Sequence, residues 1–293
     1  MTSFAPKEPL ESLLAATSAV GIGTFKCRPD HPLFRDSGPS STYCFVFPRT
    51  PVWIQHADQR PFVADPRTVT YYNAGQVYSR RKLSADGDLG DWFAMDPGLA
   101  AEIVAEAAPR AGSAGARVFP FSHGPCDNET YLLQRRVTEH LRAGGNADLL
   151  WVEETAIELL ARLVPMAAGR AAVTAPALTL RHRRLVDDAK ALLALWARQP
   201  VRLSLLAGRL SCSVFHLCRT FKQVEGTTIH GYQQDLRLRM ALAEVPETDS
   251  LTDVALDLGF SSHSHFTAAF RRRFGLTPSA YAASIGRVGT PPP

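Results

Sequence analysis

The strongest constraint on this 293-residue chain is a repeat near its C-terminus. Leu203, Ala207 and Leu210 recur 48 residues later as Leu251, Ala255 and Leu258. Leu217, Phe221, Gly226 and Tyr232 recur 49 residues later as Phe266, Phe270, Gly275 and Tyr281. The one-residue change falls between the two groups, in a turn. Fixed spacing within helices and an insertion at a turn are what two copies of one packed unit produce. Each copy reads as a short helix, a polar turn and a second helix, over about 203–224 and 251–273. Ser213 and Ser262 are the expected N-caps, and Gly259 can supply a turn with positive φ. That plan is the helix-turn-helix, whose second helix can enter the DNA major groove.

The alternative is an all-helical bundle with incidental helix pairs. Charge weighs against it: from Pro176 onward there are 15 Lys and Arg against 9 Asp and Glu, whereas the residues before it hold 17 against 19. A basic rear and a near-neutral front point to a polyanion meeting only the rear. In the first copy His216, Arg219 and Lys222 lie off the apolar stripe of the second helix. In the second copy His263, Ser264, His265 and Thr267 open the helix, where base edges are reached. Arg271, Arg272 and Arg273 close it with a cationic cluster suited to phosphates.

Three stretches then carry a resemblance: 237–241 (Arg-Leu-Arg-Met-Ala), 251–262 (Leu251 to Ser262, with Gly259-Phe260) and 264–278 (Ser264 to Pro278). Together they resemble the signature of the AraC/XylS family of bacterial transcription regulators, over about 181–284. The resemblance implies two helix-turn-helix units joined by one long helix, here about 228–245. Its eighteen residues at ~1.5 Å each span ~27 Å, which suits successive major-groove turns ~34 Å apart. Carried over by position, Phe215, Cys218 and Arg219 face bases in the first unit, with Arg219 suited to guanine and Phe215 to a thymine methyl. His263, Ser264, His265 and Thr267 do so in the second, and Ala268 stands where relatives often have a polar residue. Ser213, Lys222 and Arg271 to Arg273 are the phosphate candidates. The resemblance also implies a front domain that senses a small molecule and dimerises, with RNA polymerase as a further partner beside double-stranded DNA.

The front half has its own pattern. Between Thr42 and Asp96 short β-branched and aromatic runs alternate with Pro, Gly and Asn turns: 43–47, 52–56, 68–72 and 91–95. Such spacing predicts a mainly-β, cupin-like barrel. Two helical patterns follow, 131–141 and 149–164, expected to end at Gly144 and Pro165 and to form the dimer contact. A small, aperiodic stretch at 166–177 reads as a linker. The expected architecture is therefore a sensor and dimerisation domain at 1–165, the linker, and an all-α DNA-binding domain at 178–286. Its first helix carries Leu185, Ala189, Leu192, Leu193 and Trp196.

A barrel holding Tyr43, Phe45, Trp53, Tyr71, Tyr78 and Trp92 could enclose an apolar effector, with Arg49, His56 or Arg80 as polar anchor. Core filling is the plainer role for each aromatic. Cys27, His31, His123 and Cys126 form a Cys2His2 set that could hold a metal or act as a redox sensor, if the fold joins its halves. A ligand-independent architectural DNA binder is the remaining alternative. The strands lack the clustered His and Glu of a catalytic cupin, so no enzymatic activity and no cofactor are expected. Five irregularly spaced cysteines, Glu8 and Glu11 beside the apolar patch at 10–22, and the absence of a long apolar run predict a cytoplasmic protein without membrane contact.

Overall fold

A computed structural model describes residues 10–36, 38–57, 59–109, 117–144, 148–172 and 180–285. The chain divides into two compact units, Met1–Ala172 with Ser279–Pro293, and Val173–Pro278.

The first unit is mainly β. Its strands are β1 (Glu11–Ala16), β2 (Val20–Cys27), β3 (Cys44–Pro48), β4 (Val52–His56), β5 (Phe62–Ala64), β6 (Thr68–Tyr72), β7 (Tyr78–Lys82) and β8 (Asp88–Met95). Then come α1 (Pro97–Ala107), β9 (His123–Pro125), α2 (Asn128–Arg142) and α3 (Leu149–Ala172). Six strands pair antiparallel in the order β1-β2-β8-β3-β6-β9, and three form a second sheet, β5-β4-β7. No ladder joins the sheets, so the expected closed barrel is corrected to two separate sheets. Closure would need the outer strands, β5 or β7 with β1 or β9, and among the described residues each of these pairs on one side only.

Strand alternation gives the larger sheet two apolar faces. One carries Phe45, Phe47, Tyr71 and Phe93, all fully buried, with Phe45 stacked on Phe93 at 5.3 Å. Phe47 meets Tyr131 of α2, and the Tyr71 hydroxyl donates to the Leu163 carbonyl of α3 at 3.5 Å. The other face carries Phe25, Cys44, Val46, Trp92 and Ala94.

Pro97 opens α1 at its first turn, behind an Asp96 cap that accepts from Gly98 and Leu99. Pro165 does not stop its helix: α3 runs on to Ala172, so 166–172 is helix rather than linker, and 173–177 lies outside the described residues. The lost hydrogen bond is offset by packing on both sides of the proline, where Leu163, Val164 and Ala167 are buried. A Cβ on Gly124 would lie 2.7 Å from the Ala167 Cβ, so that glycine lets β9 press onto the extended helix. Finally, α2 and α3 turn Tyr131, Val137, Val152, Ala156, Leu159 and Leu160 into their own unit. Their stripes are thus consumed within the unit, which removes the reason for placing a dimer contact there; Leu149 and Leu150 stay exposed.

The second unit is helical: α4 (Leu180–Leu195), α5 (Leu203–Arg209), α6 (Val214–Glu225), α7 (Ile229–Glu244), a 3-10 turn at Val245–Glu247, α8 (Leu251–Asp257) and α9 (His263–Phe274). Val186, Ala189 and Leu193 of α4 share a core with Leu206, Ala207, Leu217, Phe221 and Tyr232. The last helix, α10 (Pro278–Ile285), groups with the first unit from Ser279 onward. The repeat symmetry therefore ends near Gly275: Tyr232 fills the second unit's core, whereas its repeat partner Tyr281 is buried in the first. Among the described residues no helix is long and apolar enough to cross a membrane.

Candidate nucleic-acid interface

The two helix pairs close alike. Ser213 Oγ accepts from the His216 N–H at 3.2 Å to start α6, and Ser262 Oγ accepts from the His265 N–H at 3.1 Å to start α9. Gly226 and Gly275 end them in the left-handed conformation, at φ 71° and 79°. The turns begin alike, with Ser211 at φ 52° in the first and its repeat partner Gly259 at φ 75° in the second, and the extra residue follows before the Ser262 cap. Between the units, α7 spans 16 residues, about 24 Å, and is capped by Thr228.

The inward faces are packed and the outward faces are polar. Leu217 and Phe221 of α6 and Phe266 and Phe270 of α9 are fully buried. On α6, Phe215 is 75% exposed, too open for a core role, and Arg219 and Lys222 are exposed. Cys218 is half-buried against the core that α4 shares with α5 and α6, so only its edge faces outward. Ser213 is exposed, and as a cap it spends an acceptor while keeping its O–H to donate. On α9, His263, Ser264 and His265 are exposed and Thr267 is half-buried. His263 Nε2 lies 3.4 Å from Thr267 Oγ1, and His265 Nδ1 lies 3.1 Å from Ser261 Oγ.

The cations separate into two groups. Arg219, Lys222, Arg271 and Arg272 are exposed and have no ion pair among the described residues. Arg273 instead reaches back to Asp235 of α7 at 2.5 Å, a carboxylate that its position in the arginine run does not reveal. Three arginines in the last turn of α9 also complement the negative end of that helix dipole.

In the front half, a small open cavity of about 80 Å³ lies against the second face of the larger sheet. Phe25, Val46, Ile54, Tyr72, Tyr78 and Trp92 line it. Of the expected effector residues, only Tyr78 and Trp92 do. Phe45 and Tyr71 point to the helical side, Arg49 lies 3.4 Å from Asp91, and Trp53 sits under the Arg81 guanidinium at 4.8 Å. Tyr43 immediately precedes β3 and is half-buried. The period-two alternation of β3, β6 and β8 separates the aromatics that face this cavity from those that face the helices.

His56 is fully buried among Phe62, Tyr72 and Tyr78, with Nδ1 2.6 Å from the Gln76 amide nitrogen. Burial, reinforced by the charge of Arg117, pushes its pKa down to about 4. The unfolded chain, with its histidine near 6.5, thus takes up a proton that the folded one refuses between those values. Stability therefore falls as pH drops from 6.5 toward 4, by about 2 kcal/mol between pH 7 and 5. Melting curves at those two pH values should separate further for the wild type than for His56→Gln; equal separations would remove His56 as the cause.

The Cys27, His31, His123 and Cys126 set is not assembled: no three His, Cys, Asp or Glu among the described residues could hold a metal. Cys27 and Cys126 are buried, the Cys126 Sγ directed at the Asp127 carbonyl. His123 stacks on Phe62 at 3.9 Å, and His31 Nδ1 accepts from the Leu33 N–H.

Residues 206–284 match the family model described as a helix-turn-helix domain. A stretch of 103 residues is 32% identical to the regulatory protein SoxS of Escherichia coli strain K12, covering 35% of this chain and 96% of SoxS. Another, of 87 residues, is 37% identical to the right origin-binding protein of the same strain, covering 29% of this chain and 30% of that protein. Among solved structures, a transcriptional regulator with an AraC-type DNA-binding domain from Chromobacterium violaceum is 30% identical, over 36% of this chain and 96% of that one, with a TM-score of 0.34.

Proposed function

Because the chain belongs to the AraC/XylS family of bacterial transcription regulators, we propose that α6 and α9 read two successive major-groove segments of one duplex, and that the front half adjusts this reading to a small molecule. The observation that carries the DNA part is the pair of alike-capped helices, each with its apolar side buried and with exposed cations that, Arg273 aside, have no ion pair among the described residues. Arg219 and Phe215 supply base contacts in the first unit, with the Cys218 edge beside them, and His263, Ser264, His265 and Thr267 do so in the second. Ser213, Lys222, Arg271 and Arg272 hold phosphates, with Arg273 in a lesser part because Asp235 already engages it.

The effector reading rests on the cavity. Its aromatic lining suits a largely apolar molecule. Binding there would regulate DNA occupancy, and through it polymerase recruitment, by favouring one state of the chain over another. A second copy of the chain is the further partner proposed.

Selection from a random duplex pool with the full chain should enrich a bipartite motif. Arg219→Ala should then relax preference at one base position in it, costing about tenfold on the preferred base and little on the others. No enriched motif sinks the DNA reading. A thermal-shift screen with metabolites tests the effector half separately, and melting that no compound moves removes it.

A further inference from the structure

We propose that Arg237 is a positioning residue that locks the angle between the two reading helices and thereby sets the one spacing of sub-sites the chain accepts. The inference rests on the two-unit DNA reading above and adds to it a residue that touches no DNA.

Arg237 sits in the middle of α7 and is 7% exposed. Its guanidinium fork reaches two separate parts of the unit. Nε donates to the Ala197 carbonyl at 2.6 Å and Nη2 to the Gln199 carbonyl at 2.8 Å, both just beyond the end of α4. Nη1 donates to the Gly259 carbonyl at 2.9 Å, in the turn between α8 and α9. The α4 carbonyls belong to the core that holds α6, and the Gly259 carbonyl belongs to the turn that aims α9. One side chain therefore ties the supports of both reading helices to the helix that joins them.

The chemistry suits a rigid joint. Carbonyls past a helix end lack intrahelical donors and attract a cation. No carboxylate pairs with Arg237 among the described residues, so backbone dipoles alone hold its charge. Burial lowers its pKa, in keeping with a desolvated guanidinium. A planar fork fixes three acceptors in direction as well as distance, which an ammonium could not do. One turn earlier on α7, Gln233 Nε2 also donates to the Gln199 carbonyl, at 3.0 Å. The joint leaves no slack at Gly259: besides its φ of 75°, a Cβ there would lie 2.8 Å from the Arg198 carbonyl oxygen and 2.9 Å from Arg237 Nη2.

The test uses the full chain and the motif selected by the wild type. Duplexes carry both sub-sites at the selected spacing, or with one or two base pairs added or removed. Each added pair turns the second sub-site by about 34° and moves it about 3.4 Å. The wild type should lose at least tenfold in affinity for one added pair. Arg237→Met, which keeps the apolar stem but has no donors, should bind the original spacing about tenfold more weakly and lose under threefold on the added pair. Base preference within each sub-site should stay unchanged, and loss of folded protein would weaken every spacing alike rather than flatten the penalty. If the methionine variant does not fold, Arg237→Lys and Gly259→Ala carry the same measurement from the two sides of the joint, with the same flattening expected. Variants that keep the full spacing penalty overturn the proposal, as does a wild type that tolerates every spacing. A wild type that enriches no motif overturns the DNA reading itself, a distinguishable failure.

Discussion

Asp91→Ala should lower the melting temperature of the front unit by about 10 °C. Asp91 is fully buried in β8, and its Oδ2 accepts from Arg135 Nη1 at 2.8 Å and Gln134 Nε2 at 2.9 Å. Arg49 Nε and Arg142 Nη2 lie 3.4 Å and 3.7 Å from its Oδ1. Glu139 takes the other side of Arg135 and pairs with Arg142 at 3.3 Å. Three guanidiniums thus share two carboxylates. Burial works against charge on Arg135, yet Asp91 and Glu139 more than offset it and raise its pKa. At Arg49 burial wins, helped by repulsion from Arg135 and Arg142, and its pKa is lowered despite Asp91. Without Asp91, one carboxylate would face three buried or half-buried cations. Breaking a buried pair from one side costs about 3–5 kcal/mol, at about 2–4 °C per kcal/mol for a unit of this size. Replacing Asp91 and Arg135 together by leucine should recover part of that loss, because neither member is left stranded. Calorimetry on the full chain checks both, and an Asp91→Ala shift below 2 °C would show that the network contributes little.

Removing Arg271 and Arg272 together should weaken binding to selected and random duplexes alike by about 60-fold at 0.1 M salt. Both are exposed in the last turn of α9 and neither has an ion pair among the described residues, so no internal partner competes with phosphate. Each neutralised phosphate contributes about 0.9 to the slope of log K against log salt. The double alanine variant should therefore flatten that slope by about 1.8 and leave base preference as it was. Arg273→Ala should do less on DNA and more on stability, since its guanidinium is held by Asp235. Titrations at several salt concentrations separate these outcomes. An unchanged slope in the double variant means these arginines do not meet the backbone.

The rear of the chain was legible because its information is local and repeated. Serine caps, positive-φ glycines and apolar residues at helical spacing specify each helix pair from within a few residues. The front was legible only in part. The strands at 44–48, 52–56, 68–72 and 88–95 follow from β-branched and aromatic runs, but a run does not state its partner. Closure, the sheet faces and the cavity lining all depend on which strands pair, and that is settled between residues far apart. Pro165 misled for the same reason: a local helix breaker was overruled by Gly124, some forty residues away.

Taken alone, the amino-acid order determined two capped helix pairs, the stretch that joins them, and which of their side chains avoid the apolar stripe. Tertiary structure alone decided that Arg273 answers Asp235, that Arg237 gathers carbonyls from two distant segments, and that Cys27, His31, His123 and Cys126 remain apart. The division follows the range of the forces: backbone propensity and capping act within a turn of chain, whereas pairing of buried charge and choice of strand partner are fixed only when the core closes.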